Sequence, residues 1–175
     1  MHWIALIILI YVVTALQSAA VPFIAVHTIR PDLMVIVAVH YALAARTYDA
    51  LLACWLIGLS IDLSGISYHN HGNVGVHALA LGLIALPIVK MRSFIFRDSV
   101  LTQLFFTFAA KFVLDFLVGL HMMYAIGDWS RMREVVVTGM YAAIYTAVLA
   151  PYGNWFLKRL RGALGIGPAQ RLRVR

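Results

Sequence analysis

Long apolar runs alternate with short polar breaks along all 175 residues of the chain. The first run, residues 3–26, is interrupted late by Pro22 and closes on the break His27-Thr28-Ile29-Arg30-Pro31-Asp32. Pro31 suits the first turn of a helix, and Asp32 complements its positive end. A second span is therefore predicted over residues 33–45. A tight turn, Arg46-Thr47-Tyr48-Asp49, leads to a third span over 50–63, and a polar stretch over 64–73 separates it from a fourth over 74–89. A single helix from residue 33 to 63 would be about 45 Å long, too long for a ~30 Å hydrocarbon core without strong tilt, which favours two spans. Residues 90–98 mix basic and apolar side chains, as an interfacial loop does. A fifth span covers 100–124, the next loop carries Trp129 as an interface anchor, and a sixth span covers 135–157. Pro151 removes one backbone donor and is expected to kink this last helix between Thr146 and Pro151.

Composition turns these runs into a class. The chain is 63% apolar and 12% charged, with a mean hydropathy of +0.88. A soluble domain has roughly 45–50% apolar and about 25% charged residues. Too little polar surface remains to cover a soluble globule. Disorder is excluded for the same reason, and one cysteine, Cys54, excludes a disulfide scaffold. At ~20 residues per span, six spans use about 120 residues and leave about 55 for turns and tails. The expected fold is an all-α integral membrane protein, a compact bundle of about six transmembrane helices over residues 1–160, followed by a basic tail over 161–175. No Lys or Arg precedes the first apolar run, so it reads as a retained span and not a signal peptide.

The net charge is +7, and six of the fourteen Lys and Arg follow Leu157. A basic tail beside a membrane marks the cytoplasmic side, not a nucleic-acid site. With six spans, Arg46, Lys90, Arg92, Arg97 and the six tail residues share one side, and Arg30, Arg131 and Arg133 the other. Ten against three places both termini in the cytoplasm.

Three formal charges lie inside the spans: Asp62, Lys111 and Asp115. Each costs at least ~2.5 kcal/mol in hydrocarbon and should face protein or water. Lys111 and Asp115 are four apart and can pair. They belong to the stripe Gln103, Thr107, Lys111, Asp115, Gly119, which suits an internal ion pair, a proton or ion relay, or a seam against a partner's helix. Asp62 ends a small-residue face, Cys54, Gly58, Asp62, Gly65. Gly75, Ala78, Gly82 and Ala85 form a matching face on span four. Small residues allow close backbone approach, so these two spans should pack tightly. Asp62 would then cap backbone amides of the adjoining loop, or contact a ligand or ion. His69, His71 and His77 invite a zinc reading. With no cysteine and no fourth ligand they read as part of a solvated polar loop, and no metal or cofactor is expected. His40 and His121 read as packed or interfacial, and Cys54 as core. Thr138, Tyr141, Tyr145 and Tyr152 recur at helical spacing on span six, as aromatic packing within the bundle or as a stripe facing a partner, with Tyr141 and Tyr145 the candidate partner-surface residues. No catalytic constellation is apparent.

Three motifs in order resemble the bacterial rod shape-determining MreD family. They are Arg30-Pro31-Asp32-Leu33 opening span two, Gly58-Leu59-Ser60-Ile61-Asp62-Leu63-Ser64-Gly65 closing span three, and Gly75-Val76-His77-Ala78-Leu79 opening span four. The resemblance covers about residues 30–90, and the loop 66–73 departs from it in length and histidine content. It implies a non-enzymatic scaffold of the inner membrane that helps MreC, MreB, RodA and its penicillin-binding transpeptidase direct sidewall peptidoglycan synthesis. It also implies a fold similar to the substrate-binding subunits of energy-coupling factor transporters. That similarity supplies the rival reading, a vitamin-like ligand-binding subunit. The first outer loop, about six residues, is short for the lid such a subunit would need.

Overall fold

The computed structural model describes residues 2–26, 29–64, 75–92 and 99–165, without the side chains of residues 161 and 163. Regular structure among them is helical: α1 (Trp3–Ala19), α2 (Leu33–Ala44), α3 (Thr47–Ser64), α4 (Val76–Met91), α5 (Val100–Ile126), α6 (Met132–Arg159) and a short α7 (Arg161–Leu164). A 3-10 turn, Val21–Ile24, comes after α1 with Pro22 in its first turn. Six apolar runs thus become six principal helices. α3, α5 and α6 are each long and apolar enough to cross a membrane. α1, α2 and α4 are shorter, with 17, 12 and 16 residues.

α2 is the centre of the bundle. A helix that is apolar on every side must be covered on every side. Residues 34 to 43 are all buried, and α2 packs against α1, α3, α4, α5 and α6. The outside carries the remaining apolar surface. Ile4, Ile7, Ile8 and Tyr11 on α1, and Leu101 and Phe105 on α5, are all more than half exposed. A water-soluble protein rarely shows so broad an apolar exterior, and this one fits a membrane protein.

The turn after α2 is shorter than its sequence suggests. Ala45 and Arg46 make it, and Thr47 already begins α3, with Asp49 complementing the positive end of that helix. Arg92, just past α4, reaches back to close the end of α2. Its guanidinium donates to the carbonyls of Ala42 and Ala45 and to Thr47 Oγ1. α5 ends at Gly127, whose φ of +74° is the left-handed conformation that stops a helix. Asp128 then accepts from the Ser130 amide at 2.9 Å. Hydrogen bonds from Ser130 hold its carboxyl below the usual carboxylate range. α6 runs through Pro151 without ending. The polypeptide expected to leave the bundle at residue 161 first makes α7, whose Leu164 is buried and whose carbonyl accepts from the His2 amide at 3.3 Å.

α3 and α4 form one tight pair, and α5 and α6 another. At Gly58 the α3 backbone approaches α4 so closely that a Cβ there would stand 2.5 Å from Ala78 Cα and from the His77 carbonyl oxygen. Gly139 lets α6 rest on Asp115 of α5 in the same manner, at 3.2 Å.

Candidate functional site

α2 is about 18 Å long, so it covers only part of the length of its neighbours. Its C-terminal end lies beside the start of α3, and its N-terminal end therefore opens beside the middle of α5. That geometry brings Asp32 to Lys111. The Lys111 ammonium donates to Asp32 Oδ2 at 2.9 Å and to Asp115 Oδ1 at 2.8 Å. The pair expected on α5 is thus a triad, and its third member comes from the Arg30-Pro31-Asp32-Leu33 motif. The three side chains are 12%, 17% and 25% exposed for Lys111, Asp32 and Asp115. One cation between two carboxylates leaves a formal charge of −1 with all three ionised.

Asp32 has further duties. Its Oδ1 accepts from the amides of Met34 and Val35, at 3.1 and 3.2 Å, and so caps α2. Its own amide donates to Thr146 Oγ1 of α6 at 3.0 Å, and that hydroxyl donates to the Ala142 carbonyl. One residue therefore ties α2 to α5 and α6. The non-helical backbone leading to α2 is satisfied from α1 and α6. Gln17 donates to the Pro31 carbonyl at 3.0 Å and accepts from the Leu33 amide at 2.9 Å. Tyr145 OH donates to the Ile24 carbonyl at 2.7 Å.

Below the triad a polar seam continues between α2, α5 and α6. Two turns along from Asp32 and Thr146, His40 Nδ1 meets Asn154 Oδ1 at 2.8 Å. Two turns along α5 from Lys111 lies Gln103, with Thr107 between them, both buried. Thr107 Oγ1, Tyr41 OH and Asn154 Nδ2 are buried without a hydrogen-bond partner among the described residues.

The second polar centre joins α3 and α4. Asp62, its side chain 2% exposed, accepts from the amides of Gly75, His77 and Ala78 at 2.9, 3.3 and 3.1 Å, and meets His77 Nδ1 at 2.8 Å. A carboxylate of one helix thereby satisfies the orphan donors at the N-terminus of the next. His77, read from sequence as part of a solvated polar loop, instead lies in the first turn of α4, bonded to Asp62. His69, His71 and Gly65 lie outside the described residues. Among the described residues no group of three or more His, Cys, Asp or Glu could hold a metal ion. Cys54 is buried and donates to the Ala38 carbonyl at 3.3 Å.

Of the motif residues, Gly58 lies against Ala78 and His77 at the α3–α4 contact and Gly75 donates its amide to Asp62 there, Asp32 belongs to the triad, the Pro31 carbonyl accepts from Gln17, and Arg30 is exposed. Tyr141 is 56% exposed and points outward. Tyr145 differs from it in turning its hydroxyl to Ile24. Sequence reasoning missed the link from Asp32 to Lys111, the role of Gln17, and the His40–Asn154 pair. An isolated polar side chain in each apolar helix was the available signal, but which of them meet is decided only by packing.

The geometry of both centres is that of groups consumed in joining helices. No curated protein and no solved structure matches the chain. The family model for rod shape-determining protein MreD matches residues 1–160, nearly the whole bundle. The chain therefore belongs to the rod shape-determining MreD family, and its role is in setting cell shape.

Proposed function

We propose that this protein is a non-enzymatic scaffold of the cell-elongation machinery in the bacterial cytoplasmic membrane. It would hold an MreC-like bitopic protein and, through it, the MreB filament and the RodA and transpeptidase pair that builds sidewall peptidoglycan. The observation that carries this reading is the triad. Lys111, Asp32 and Asp115 bond to one another and to helix ends, so the charged groups at mid-bundle serve assembly and leave contact between helices as the means of action. Family membership supports the same reading.

In this reading the chain crosses the bilayer six times, the second crossing made by α2 together with the non-helical backbone before it, residues 1–160 form one bundle resembling an energy-coupling factor binding subunit, and both termini are cytoplasmic. The basic asymmetry supports that orientation. Reporter fusions at Arg175 and in the loop holding His69 should report opposite sides, and the same side for both would overturn the topology.

Tyr141 is the stronger partner-surface candidate, since it faces outward while Tyr145 is bonded inward. Tyr141→Trp should weaken co-purification of an MreC-like protein in mild detergent while the chain still accumulates, and cells that depend on it should become round. Rod shape retained together with stoichiometric binding of a vitamin-sized ligand would overturn the scaffold in favour of a ligand-binding subunit.

A further inference from the structure

A groove of about 650 Å³ opens on the outer face between α5 and α6, lined by Leu101, Phe105 and Phe108 on one wall and Ile144 and Val148 on the other. Its floor and walls are apolar except for Thr102. One end leads to charge. α5 and α6 are antiparallel, and the contacts of Gly119 with Val135 and Gly139 with Asp115 fix their register. That register sets Leu101 level with Gly153. At 3.6 residues per turn, Ile144, Val148, Trp155 and Arg159 lie within about 60° of one another on α6. The α6 face that lines the groove therefore continues through Trp155 to Arg159, which lies about 9 Å beyond the level of Leu101 along the axis. Trp155 is 58% exposed, and the Arg159 guanidinium lies over its ring at 4.2 Å. After Glu134 the chain contains no Asp or Glu and six Lys or Arg.

We propose that this groove binds an anionic phospholipid, with an acyl chain between α5 and α6 and the headgroup phosphate at Arg159 beside Trp155. Charge complementarity selects the headgroup, because Arg159 lies beyond the end of an apolar trough on the same face of α6. The indole is the side chain that favours the membrane–water boundary between them. Arg159 also presents a planar fork of donors suited to a phosphate.

Native mass spectrometry of the whole chain in mild detergent, with equal amounts of dioleoyl phosphatidylglycerol and dioleoyl phosphatidylcholine, tests this. The wild type should retain phosphatidylglycerol preferentially. Arg159→Gln should lower that retention roughly fivefold, the worth of one cation near an anionic headgroup, and leave phosphatidylcholine unchanged. Val148→Trp, which fills the trough, should lower it as well, and Leu101→Trp repeats the block from the α5 wall. All three positions are on the outer surface, so an unchanged melting temperature accompanies the loss. Equal retention of both lipids by the wild type overturns the proposal. So does phosphatidylglycerol retention that survives Arg159→Gln or both Trp variants, or loss of a co-purifying membrane protein from the Trp variants with lipid retention intact.

Discussion

Gly58→Ala should separate α3 from α4 and release Asp62 from its cap. The added Cβ would meet Ala78 Cα and His77 O at 2.5 Å and Ala78 N at 2.7 Å, where ordinary contact begins at 3.4 Å. All three obstacles are backbone atoms, so no side-chain rotation relieves the clash. The helices must part by about 0.9 Å. Asp62 lies one turn beyond Gly58 and holds the same stretch of α4, at 3.3 Å from the His77 amide and 3.1 Å from that of Ala78. A shift of that size carries both contacts to about 4 Å, beyond hydrogen-bond reach. Bonds to a charged acceptor contribute about 1.5–3 kcal/mol each, overpacking adds about 1–3 kcal/mol, and alanine returns about 1 kcal/mol of helix propensity. Allowing for partial reorientation of the carboxylate, the net loss is about 3 kcal/mol.

Gly82→Ala, on the other hand, meets nothing within 4 Å and should stabilise α4 by up to ~1 kcal/mol. Denaturation of the purified protein in mixed micelles compares the two. Because Gly58 and Asp62 act on one contact, Asp62→Asn should cost less in the Gly58→Ala background than alone. A Gly58→Ala protein as stable as wild type, or Asp62→Asn costs that are identical in both backgrounds, would refute the coupling.

Lys111→Met leaves Asp32 and Asp115 facing each other without a cation and should cost ~3–5 kcal/mol. Asp115→Asn keeps the Asp32 partner and should be distinctly milder. Adding Asp115→Leu to Lys111→Met should not restore wild-type stability, because Asp32 stays unpaired; full restoration in thermal melts would mean that Asp32 is not part of the cluster. Gln17→Leu strands the Pro31 carbonyl and the Leu33 amide and should cost about 2 kcal/mol or more, read in the same melts, and a neutral result would show that water replaces the amide.

The helices were legible because each is a run of apolar residues with a visible stop. The short pairing was legible too, since Lys111 and Asp115 share a face of one helix. Tertiary meetings were not. Nothing in Asp32 or Lys111 states that residues 79 positions apart are neighbours. What hid the meeting is the length of α2. Its apolar residues suggested a span with Asp32 at its outer mouth, whereas 12 residues reach only partway along neighbours of 27 and 28. Asp62 was readable as a cap for the loop after α3, but its partners include the α4 amides and the His77 ring. Gly58 and Ala78 lie on the two small-residue faces read from the sequence, and those faces do meet.

The Arg-Pro-Asp-Leu motif can be understood as chemistry for starting a helix inside apolar surroundings. Backbone that is not helical is tolerated at that depth only where protein satisfies it. Pro31 has no amide hydrogen to satisfy, and its carbonyl is taken by Gln17. The Asp32 amide is taken by Thr146, and the Leu33 amide by Gln17 again. The next two amides, of Met34 and Val35, go to Asp32 Oδ1. This succession leaves no donor from Pro31 to Val35 open, and the side-chain acceptor at position 32 is a carboxylate. A buried carboxylate needs a counter-charge, and Lys111 provides it. Asp115 then serves the remaining side of the lysine. The ion cluster is in this sense the consequence of the short helix. A helix begun in mid-bundle needs a cap, the cap here is a carboxylate that needs a cation, and the cation binds α5 to α2 through charge, as Thr146 binds α6 through the backbone.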